Sequence, residues 1–277
     1  MANKTTDFSY AKRGFLVRLA YLIIAVTYAC VIGFGRLFKG RVVVLCYHAV
    51  TEKQLLKFKK QMQIVSNRAI KLTQVHEIEN NKDKVCVTFD DAFECLIETG
   101  IPVTQNLDIP IAIFAVTKNM GDFPRWEMDI DRPDRKYPIM TWQQLIDIDK
   151  EDHCLIGSHT VSHRPLASLP EDLLRRELID SKEELGKLLS HEVTILALPH
   201  GSYDENVIKA STDAGYQYIL TLDEITKPYR WPSSTIGRFV VSPDMWLIEF
   251  YLTAIGAYAW LYPWRRSLRF IRSIIRQ

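Results

Sequence analysis

The sequence contains few cysteines, and none of them is spaced for a zinc knuckle. Five occur in 277 residues, an odd number, and there is no Cys-x-x-Cys. The five are Cys30, Cys46, Cys86, Cys95 and Cys154. Three of them lie in apolar runs, so we expect small buried thiols rather than disulfides. This usage indicates a reducing compartment and favours the cytoplasmic side for the catalytic part of the chain.

The sequence also lacks a long apolar run. Its longest uncharged stretch is Leu19 to Gly35, seventeen residues between Arg18 and Arg36, which is the lower limit for a helix that spans a bilayer. No small-residue cleavage site accompanies this stretch, so we do not expect a removed signal peptide. We expect residues 1–41 to form a membrane-associated segment, which either spans the bilayer or enters it as a hairpin or a shallow helix.

Internal repeats, low-complexity tracts and a strong net charge are absent as well. The net charge is +2, but it is unevenly distributed. Residues 1–41 hold seven Lys and Arg against one acid, and residues 245–277 hold five Arg against one Glu, which leaves −8 for residues 42–244. An acidic body disfavours nucleic acid as a partner, while basic ends favour an anionic membrane lipid.

The most informative stretch that is present runs from Val85 to Asp91, with the sequence Val-Cys-Val-Thr-Phe-Asp-Asp. An apolar, β-branched run that ends in two carboxylates is typical of a buried parallel strand that delivers charge to a site. Adjacent strand residues point to opposite faces, so Asp90 and Asp91 are expected to have different roles. One suits a metal ion and the other a water molecule, although Asp pairs also end strands as ordinary turn residues.

A second polar group follows at Ile156 to His163, where two histidines are four residues apart. His159 and His163 can converge on one cation from a single helical turn. The alternative is a helix start capped by Ser158, with both histidines in solvent. Together with one Asp, the two histidines make a three-ligand set that leaves a position for water, as in catalytic metal sites.

Three ordered motifs give the chain a resemblance to the polysaccharide deacetylases, carbohydrate esterase family 4. The motifs are Thr88-Phe89-Asp90-Asp91, Ser158-His159-Thr160-Val161-Ser162-His163 and Leu198-Pro199-His200-Gly201-Ser202-Tyr203-Asp204. The resemblance extends from about residue 42 to about residue 238. It implies an α/β fold, a distorted (β/α) barrel of about seven strands with a divalent metal ion at their carboxyl ends. It also implies hydrolysis of N-acetyl groups on sugars.

The same resemblance assigns roles to individual residues. It places Asp91, His159 and His163 on the metal ion and makes Asp90 the general base, which agrees with the chemistry of metal-assisted hydrolysis. It also implies that the backbone N–H of His200 stabilises the oxyanion. The loop shape set by Pro199 and Gly201 would then matter more than the His200 side chain.

The sequence departs from the family pattern at two places. The arginine that usually holds the base is missing from Ile195 to Leu198. Arg238 could replace it from the last strand, and the alternative is that Arg238 is a surface residue. The late Leu-x-His that supplies the usual proton donor is also missing. We expect His48, at the mouth of the first strand, to be the donor, with His200 as the alternative. Tyr47 beside it is expected to contact the substrate, as are Pro199, Gly201 and Arg238.

The rest of the pattern predicts a catalytic body over residues 42–244. A helix is expected to end at Gly100 as a left-handed terminator. The polar segment Lys118 to Tyr137 is too long for a tight barrel loop and is expected to line the site. The hydrophobic run before residue 42 could also be a core helix, but the barrel of the family begins only after it.

Residues 245–277 are expected to form an aromatic and basic membrane-interface segment. Phe250 to Trp264 is uncharged but short for a span, and four arginines beyond it fall in one helical stripe opposite an apolar face. These are Arg265, Arg269, Arg272 and Arg276. The alternative is a helix packed on the barrel.

The sequence therefore predicts a metal-dependent deacetylase of an amino-sugar glycan, with zinc as the expected ion and cobalt or nickel as alternatives. The expected partners are an N-acetylated glycan or lipid-linked sugar and anionic membrane lipid, without nucleic acid. The expected location is the inner or plasma membrane, with the barrel on the cytoplasmic side. The alternatives are a deformylase of a lipid-linked amino sugar and a glycan-binding pseudoenzyme.

Overall fold

Apolar, β-branched runs form one parallel sheet in the computed structural model, which describes residues 14–35, 41–76, 83–128, 132–226 and 235–264. The strands of these residues are β1 Val42–Tyr47, β2 Lys84–Phe89, β3 Ile111–Ala115, β4 Cys154–Ser158, β5 Ile195–Ala197, β6 Tyr218–Leu220, β7 Thr235–Ile236 and β8 Phe239–Val240. The helices are α1 Phe15–Gly35, α2 Leu55–Val65, α3 Gly100–Asn106, α4 Trp142–Asp149, α5 Glu171–Leu189, α6 Glu205–Asp213 and α7 Leu247–Ala254.

The strand order is β7-β6-β5-β4-β3-β2-β1-β8, and every pair is parallel. The two outermost strands, β7 and β8, are separated in the chain only by Gly237 and Arg238. The sheet therefore curls until its two edges come together, which confirms the predicted α/β barrel. Eight strands are present in the described residues instead of about seven, because the last segment is interrupted at Gly237 and Arg238.

Both faces of the sheet are buried, as expected for parallel strands covered by helices. One face forms a small core inside the barrel, which includes Val44, Cys86 and Phe114. The other face packs under the helices, with Leu45 and Val87 in the largest core cluster. Strand alternation thus decides which side chains can reach the barrel interior.

Gly100 is used differently from the prediction. It begins α3 instead of ending a helix. A Cβ atom there would lie 3.0 Å from Leu96 Cδ2 and 3.6 Å from the Phe89 ring. The missing side chain therefore serves close packing of the start of α3.

The ends of the chain contribute two helices that pack together, α1 and α7. No helix in the described part of the chain is both long enough and apolar enough to cross a membrane. The region after α7 buries Tyr258 and Leu261 in the core. The predicted arginine stripe from Arg265 to Arg276 lies outside the described residues.

Candidate active site

The candidate site lies where polar side chains follow several strands of the barrel. His48 follows β1, Asp90 follows β2, His159 follows β4, His200 lies beyond β5, and Arg238 separates β7 from β8. The carboxyl ends of parallel barrel strands meet at one mouth. Residues that are remote in the sequence are therefore neighbours here.

Asp90 and Arg238 form a buried ion pair in this mouth. Arg238 Nη1 donates to Asp90 Oδ1 at 2.6 Å, and Nη2 donates to Oδ2 at 2.9 Å. Nη1 of this fully buried side chain also donates to Thr88 Oγ1, and Nε donates to the Thr221 carbonyl oxygen, each at 3.3 Å. A two-pronged contact fixes the orientation of a carboxylate. The arginine that holds Asp90 therefore comes from the last strand segment.

Asp91, His159 and His163 converge beside Asp90. The Nε2 atoms of His159 and His163 lie 3.6 and 3.4 Å from Asp91 Oδ1, and all three side chains are buried. The potential ligand atoms of the three residues lie within 4.8 Å of one another. Ligand atoms about 2.1 Å from a tetrahedral ion are roughly 3.4 Å apart. The spacing therefore fits a metal ion with one further coordination position.

Hydrogen bonding around the cluster supports this fit. His159 Nδ1 lies 2.7 Å from the Ala197 carbonyl oxygen, which only accepts, so Nδ1 carries the proton and Nε2 presents its lone pair. Asp91 Oδ1 and His163 Nδ1 are buried without a hydrogen-bond partner among the described residues. An unpaired buried polar atom costs about 1–3 kcal/mol. A cation on Asp91 Oδ1 would remove that cost for the carboxylate.

Left-handed backbone conformations orient several of these side chains toward the mouth. Of the seven described non-glycine residues with positive φ, five lie here: Asp91, Ala92, Thr160, His163 and His200. Neighbouring strand residues would point to opposite faces, but Asp91, at a φ of 71°, has left the strand. Both carboxylates consequently face the same mouth. Sparsely populated conformations of this kind concentrate at functional sites.

The two histidines do not share a helical turn, contrary to the prediction. His159 continues β4 by donating its N–H to the Ala115 carbonyl, and the chain then turns until His163, which has a φ of 57°. Glu177 on α5 accepts hydrogen bonds from the N–H of Ser162, at 2.8 Å, and from its hydroxyl. A carboxylate on a neighbouring helix thus holds this loop, and both histidines are buried instead of facing solvent.

Burial and neighbouring charges set the protonation states in the mouth. Burial by itself would raise the pKa of Asp90, but the charge and hydrogen bonds of Arg238, together with His159 and His48, outweigh burial and the pKa is lowered. Asp91 has no such close partner, and burial raises its pKa. Burial lowers the pKa of His159 to about 4 and the pKa of His163 well below its usual value. At neutral pH Asp90 is therefore ionised and both histidines are neutral, the form that binds metal ions.

Two further histidines border the cluster. Burial, followed by the charge of Arg132, lowers the pKa of His48 to about 4. His200 packs edge-on against His163, with ring centroids 4.5 Å apart, and its Nε2 lies 3.3 Å from the His163 carbonyl oxygen. Because a carbonyl only accepts, Nε2 of His200 carries the proton. Burial also lowers the pKa of His200, so its ring is neutral and its Nδ1 has no proton.

The structure corrects two predicted substrate contacts. Tyr47 is fully buried under α2, where its hydroxyl donates to Gln61 Oε1 at 2.8 Å and its ring packs against Phe58. Cys46 points into the barrel, so strand alternation turns Tyr47 outward to the helices. Arg238 is fully buried and occupied by Asp90. Neither side chain is exposed for contact with a substrate.

Pro199 and Gly201 shape the loop that carries His200. Pro199 is buried. Gly201 has a φ of 58°, and a Cβ there would lie 2.8 Å from Leu222 Cβ, so the backbone approaches closely where only glycine fits. Their predicted effect on substrate binding thus acts through the backbone and stays a prediction.

Sequence reasoning missed two residues at the site. Trp126 stacks on His163 with ring centroids 4.6 Å apart. Cys46 Sγ lies 3.3 Å from Asp90 Oδ2. The length and polarity of segment 118–137 did indicate a loop over the site, but nothing in the pattern shows which of its residues reaches the histidines. The apolar setting of Cys46 gave no signal of a polar neighbour.

The mouth therefore combines an ionised carboxylate, a three-residue cluster suited to a metal ion, and two neutral histidines. A metal ion that polarises a carbonyl, next to a carboxylate that accepts a proton from water, performs hydrolysis of amides and esters.

Comparisons with known sequences point to one group of enzymes. The polysaccharide deacetylase family model matches residues 77–219, just over half of the chain. Over 207 residues the chain is 23% identical to the poly-β-1,6-N-acetyl-D-glucosamine N-deacetylase of Staphylococcus epidermidis, covering 71% of this chain and 69% of that protein. Over 167 residues it is 33% identical to the peptidoglycan-N-acetylglucosamine deacetylase of Bacillus cereus, covering 59% of this chain and 50% of that protein.

Among solved structures, IcaB from Ammonifex degensii superposes with a TM-score of 0.66 at 22% identity, covering 79% of this chain and 98% of that chain. This likeness shows a shared fold. The match to the family model, which includes Asp90, Asp91, His159, His163 and His200, reaches beyond the fold to the enzyme class. The chain belongs to the polysaccharide deacetylase family and is a hydrolase of amide-linked N-acetyl groups.

Proposed function

We propose that this protein is a metal-dependent hydrolase that removes N-acetyl groups from a membrane- or lipid-linked amino-sugar glycan. The observation that carries the proposal is the cluster of Asp91, His159 and His163 next to an ionised Asp90 that Arg238 holds. The cluster provides ligands for the ion, and Asp90 provides the base.

Asp91, His159 and His163 would hold the ion through one carboxylate oxygen and two imidazole nitrogens. A divalent ion bound there lowers the pKa of a water molecule and polarises the amide carbonyl. We propose zinc as the ion. Cobalt and nickel are alternatives, because two imidazoles and one carboxylate do not discriminate sharply among these ions.

Asp90 is the general base that removes the proton from the attacking water. Its lowered pKa keeps it in the basic form at neutral pH. The contacts of Arg238 to both carboxylate oxygens fix the plane of the group, which preserves its alignment with the water. His159 Nε2 lies 3.8 Å from Asp90 Oδ2. Base and cluster are thus neighbours, as a water molecule activated between them requires.

The oxyanion of the tetrahedral intermediate requires a hydrogen-bond donor, and we propose the backbone N–H of His200. The left-handed conformation of His200, the buried Pro199 and the crowded Gly201 hold this loop in one shape. A donor that is already in position requires no reorganisation when charge develops.

His48 is proposed to protonate the leaving amine nitrogen. Both rings are neutral at neutral pH, so the donor must first receive the proton that Asp90 takes from the water. His48 is close enough to Asp90 for the carboxylate charge to act on its pKa, whereas Nε2–H of His200 is already donated to the His163 carbonyl oxygen. This difference supports His48 over His200 as the donor.

The substrate class follows from the relatives. The names of both similar enzymes specify N-acetylglucosamine in a polymer, which supports an N-acetylhexosamine glycan. The basic chain ends and the exposed apolar side chains of α1 support a substrate linked to a membrane. We further propose that the barrel faces the cytoplasmic side of the inner or plasma membrane, because the five cysteines of the chain are free thiols.

The test combines metal analysis with mass spectrometry of N-acetylated oligosaccharides and of a lipid-linked N-acetylhexosamine after incubation with the purified protein. We expect one bound divalent ion, loss of an acetyl group, and loss of activity on chelation. Release of formyl but not acetyl would show a deformylase. Glycan binding without acyl release would show a pseudoenzyme. Either result would overturn the proposal.

A further inference from the structure

Helix α1 packs on the catalytic body along one narrow stripe. Its least exposed side chains are Arg18, Tyr21, Leu22, Ala25, Tyr28 and Ala29, which have the spacing of one helical face. Ala25 is fully buried in the main core cluster. The ring of Tyr21 contacts Trp260 edge-on, with centroids 5.4 Å apart. The helix is therefore part of the folded body in this structure.

A part-buried ion pair joins α1 to α7. Arg18 Nε donates to Glu249 Oε1 at 3.1 Å and Nη2 donates to Oε2 at 2.5 Å, and Glu249 is 1% exposed. The Arg18 guanidinium also lies 4.1 Å from the Trp246 ring centroid, and Phe15 contacts the same ring. Breaking a buried pair leaves an uncompensated charge. This cost opposes separation of α1 from the body.

The opposite side of α1 is apolar and exposed to solvent. The large apolar side chains that are exposed by 42% or more are Phe15, Leu16, Val17, Ile23, Ile24, Val26 and Val31. From Leu19 to Val31 this helix contains no charged residue at all. Beside it α7 exposes Leu247, Ile248 and Tyr251 by 44–49%. We call the exposed apolar side chains of both helices the α1–α7 face.

Such a face is unusual for a helix in water, where the outer side is normally polar. The packed stripe of α1 leaves most of the circumference of the helix uncovered. A partner protein or a second copy would bury one further side of the helix, whereas a bilayer can surround all of the exposed part. In the sequence, the stretches that flank the two helices are basic, with six Lys and Arg outside α1 in residues 1–41 and five Arg after residue 264. Charge of this sign complements anionic lipid headgroups.

We propose that the α1–α7 face binds side-on to the surface of an anionic bilayer, so that the barrel is attached rigidly to the membrane through two packed helices. The N-terminal segment is then one half of a composite surface instead of a flexible tether. This inference concerns attachment and stands whether or not the site deacetylates a glycan.

The test measures binding of the full-length protein to vesicles of phosphatidylcholine and phosphatidylglycerol by co-sedimentation. The double variant Ile23→Asp with Ile24→Asp places two charges in the centre of the exposed α1 side. We expect its vesicle affinity to fall by about tenfold or more, since charged side chains are excluded from the apolar part of a bilayer. Ile179→Asp on α5, a helix that packs against α4, α6 and β4, is the matched control. Ile179 is 37% exposed, and this variant should bind as the unchanged protein does.

A second variant tests the composite nature of the surface. Ile248→Asp on α7 should also weaken vesicle binding, by several-fold, because α7 contacts the same bilayer surface. Unchanged binding of this variant would show that α1 acts alone and would overturn the composite face. Point variants are preferred to a truncation because Phe250 and Leu252 of α7 are buried in the core.

Two controls separate membrane attachment from catalysis and from self-association. All three variants should retain hydrolysis of a soluble N-acetylated oligosaccharide, so a loss of activity alone would concern the proposed function and leave attachment untouched. Sedimentation velocity without vesicles should show the same oligomeric state for each. If the α1 variant converts a dimer to a monomer while vesicle binding is unchanged, the face binds a second copy and the proposal is wrong.

Discussion

The barrel mouth and the α1–α7 face reverse the usual distribution of side chains in opposite ways. In the mouth, charged and titratable groups are buried: Asp90, Asp91, His159, His163 and Arg238 are all less than 9% exposed. On the α1–α7 face, large apolar side chains such as Leu16 and Val31 are exposed by 77% and 69%. Both arrangements lower the stability of an isolated folded chain unless other groups compensate.

The difference between the two regions lies in where the compensation comes from. Asp90 is compensated inside the molecule, because Arg238 binds both of its oxygens. Ile23 and Ile24 are exposed by 59% and 43%, and the described part of the chain does not cover them. The buried charge is therefore balanced by another residue of the fold, whereas the exposed apolar surface would need a partner outside the described part of the chain to cover it. Substitutions in each region can break or sharpen this contrast.

The largest effect is expected at the base. Asp90→Asn should lower turnover by about 10²–10⁴-fold while the metal content is retained, because the amide cannot accept the proton from water. His163→Ala should lose both activity and metal, because it removes one of three ligands. Turnover and metal content measured on the same samples check the roles. Near-normal turnover of metal-loaded Asp90→Asn would contradict them.

Removal of the Arg238 countercharge to Asp90 should have the next largest effect. Arg238→Met leaves a buried carboxylate without its countercharge, which should lower the free energy of unfolding by about 3–5 kcal/mol. Arg238→Lys keeps the charge but cannot bind both oxygens, so it should recover stability more than turnover. Chemical denaturation and kcat measure the two readouts. Equal recovery of both would argue against a role in aligning Asp90.

Removal of the proposed proton donor should cause a smaller loss of turnover. His48→Ala should lower kcat by roughly a hundredfold with little change in KM, since a donor to the leaving amine acts mainly in the transition state. His200→Ala is the comparison variant, and it should keep most of its turnover because the proposed donor there is the backbone. An active His48→Ala with an inactive His200→Ala would transfer the role to His200.

In the α1–α7 region, Arg18→Met should lower the free energy of unfolding by about 2–3 kcal/mol, because Glu249 stays buried without its partner. The double variant Arg18→Met with Glu249→Gln should recover part of this loss, since the neutral amide no longer requires a countercharge. Denaturation of all variants yields the coupling free energy. A coupling near zero would mean that the ion pair does not fasten α1.

The last expected effect is the pH dependence of stability. The pKa of His48 is about 4 in the folded chain, against an ordinary value of 6.5. At this position the unfolded chain therefore binds more protons as pH falls from about 6.5 to about 4, and the contribution of His48 to folding stability decreases over that range and is constant below it. His48→Gln should show a shallower decrease in urea titrations of the metal-free protein. The same slope in both proteins would contradict the lowered pKa.

The residue types of the site could be predicted from local sequence patterns. The backbone conformations and tertiary contacts that position these residues could not. Residue type and spacing indicate the two histidines and one Asp, the family resemblance selects Asp91, and the structure brings Asp91, His159 and His163 together. The predicted helical turn between the histidines is absent, because Glu177 on a distant helix holds that segment as a loop. Tyr47 was assigned to the site from its place at a strand end, and its position on the outer face of the strand removes it. The partner of Asp90 was open to two interpretations in the sequence, and only the closure of the barrel decides for Arg238.

By itself the sequence determined the family, the parallel barrel and the residue types of the mouth, because apolar runs, strand-end carboxylates and histidine spacing are local properties of the chain. Tertiary structure decided which donors surround Asp90 and how the N-terminal apolar run is used. The sequence of that run predicts membrane contact. Only the tertiary structure shows that the run forms α1 and that Arg18 and Glu249 join α1 to α7. Such contacts join residues 231 positions apart, and no local pattern encodes a pairing over that distance.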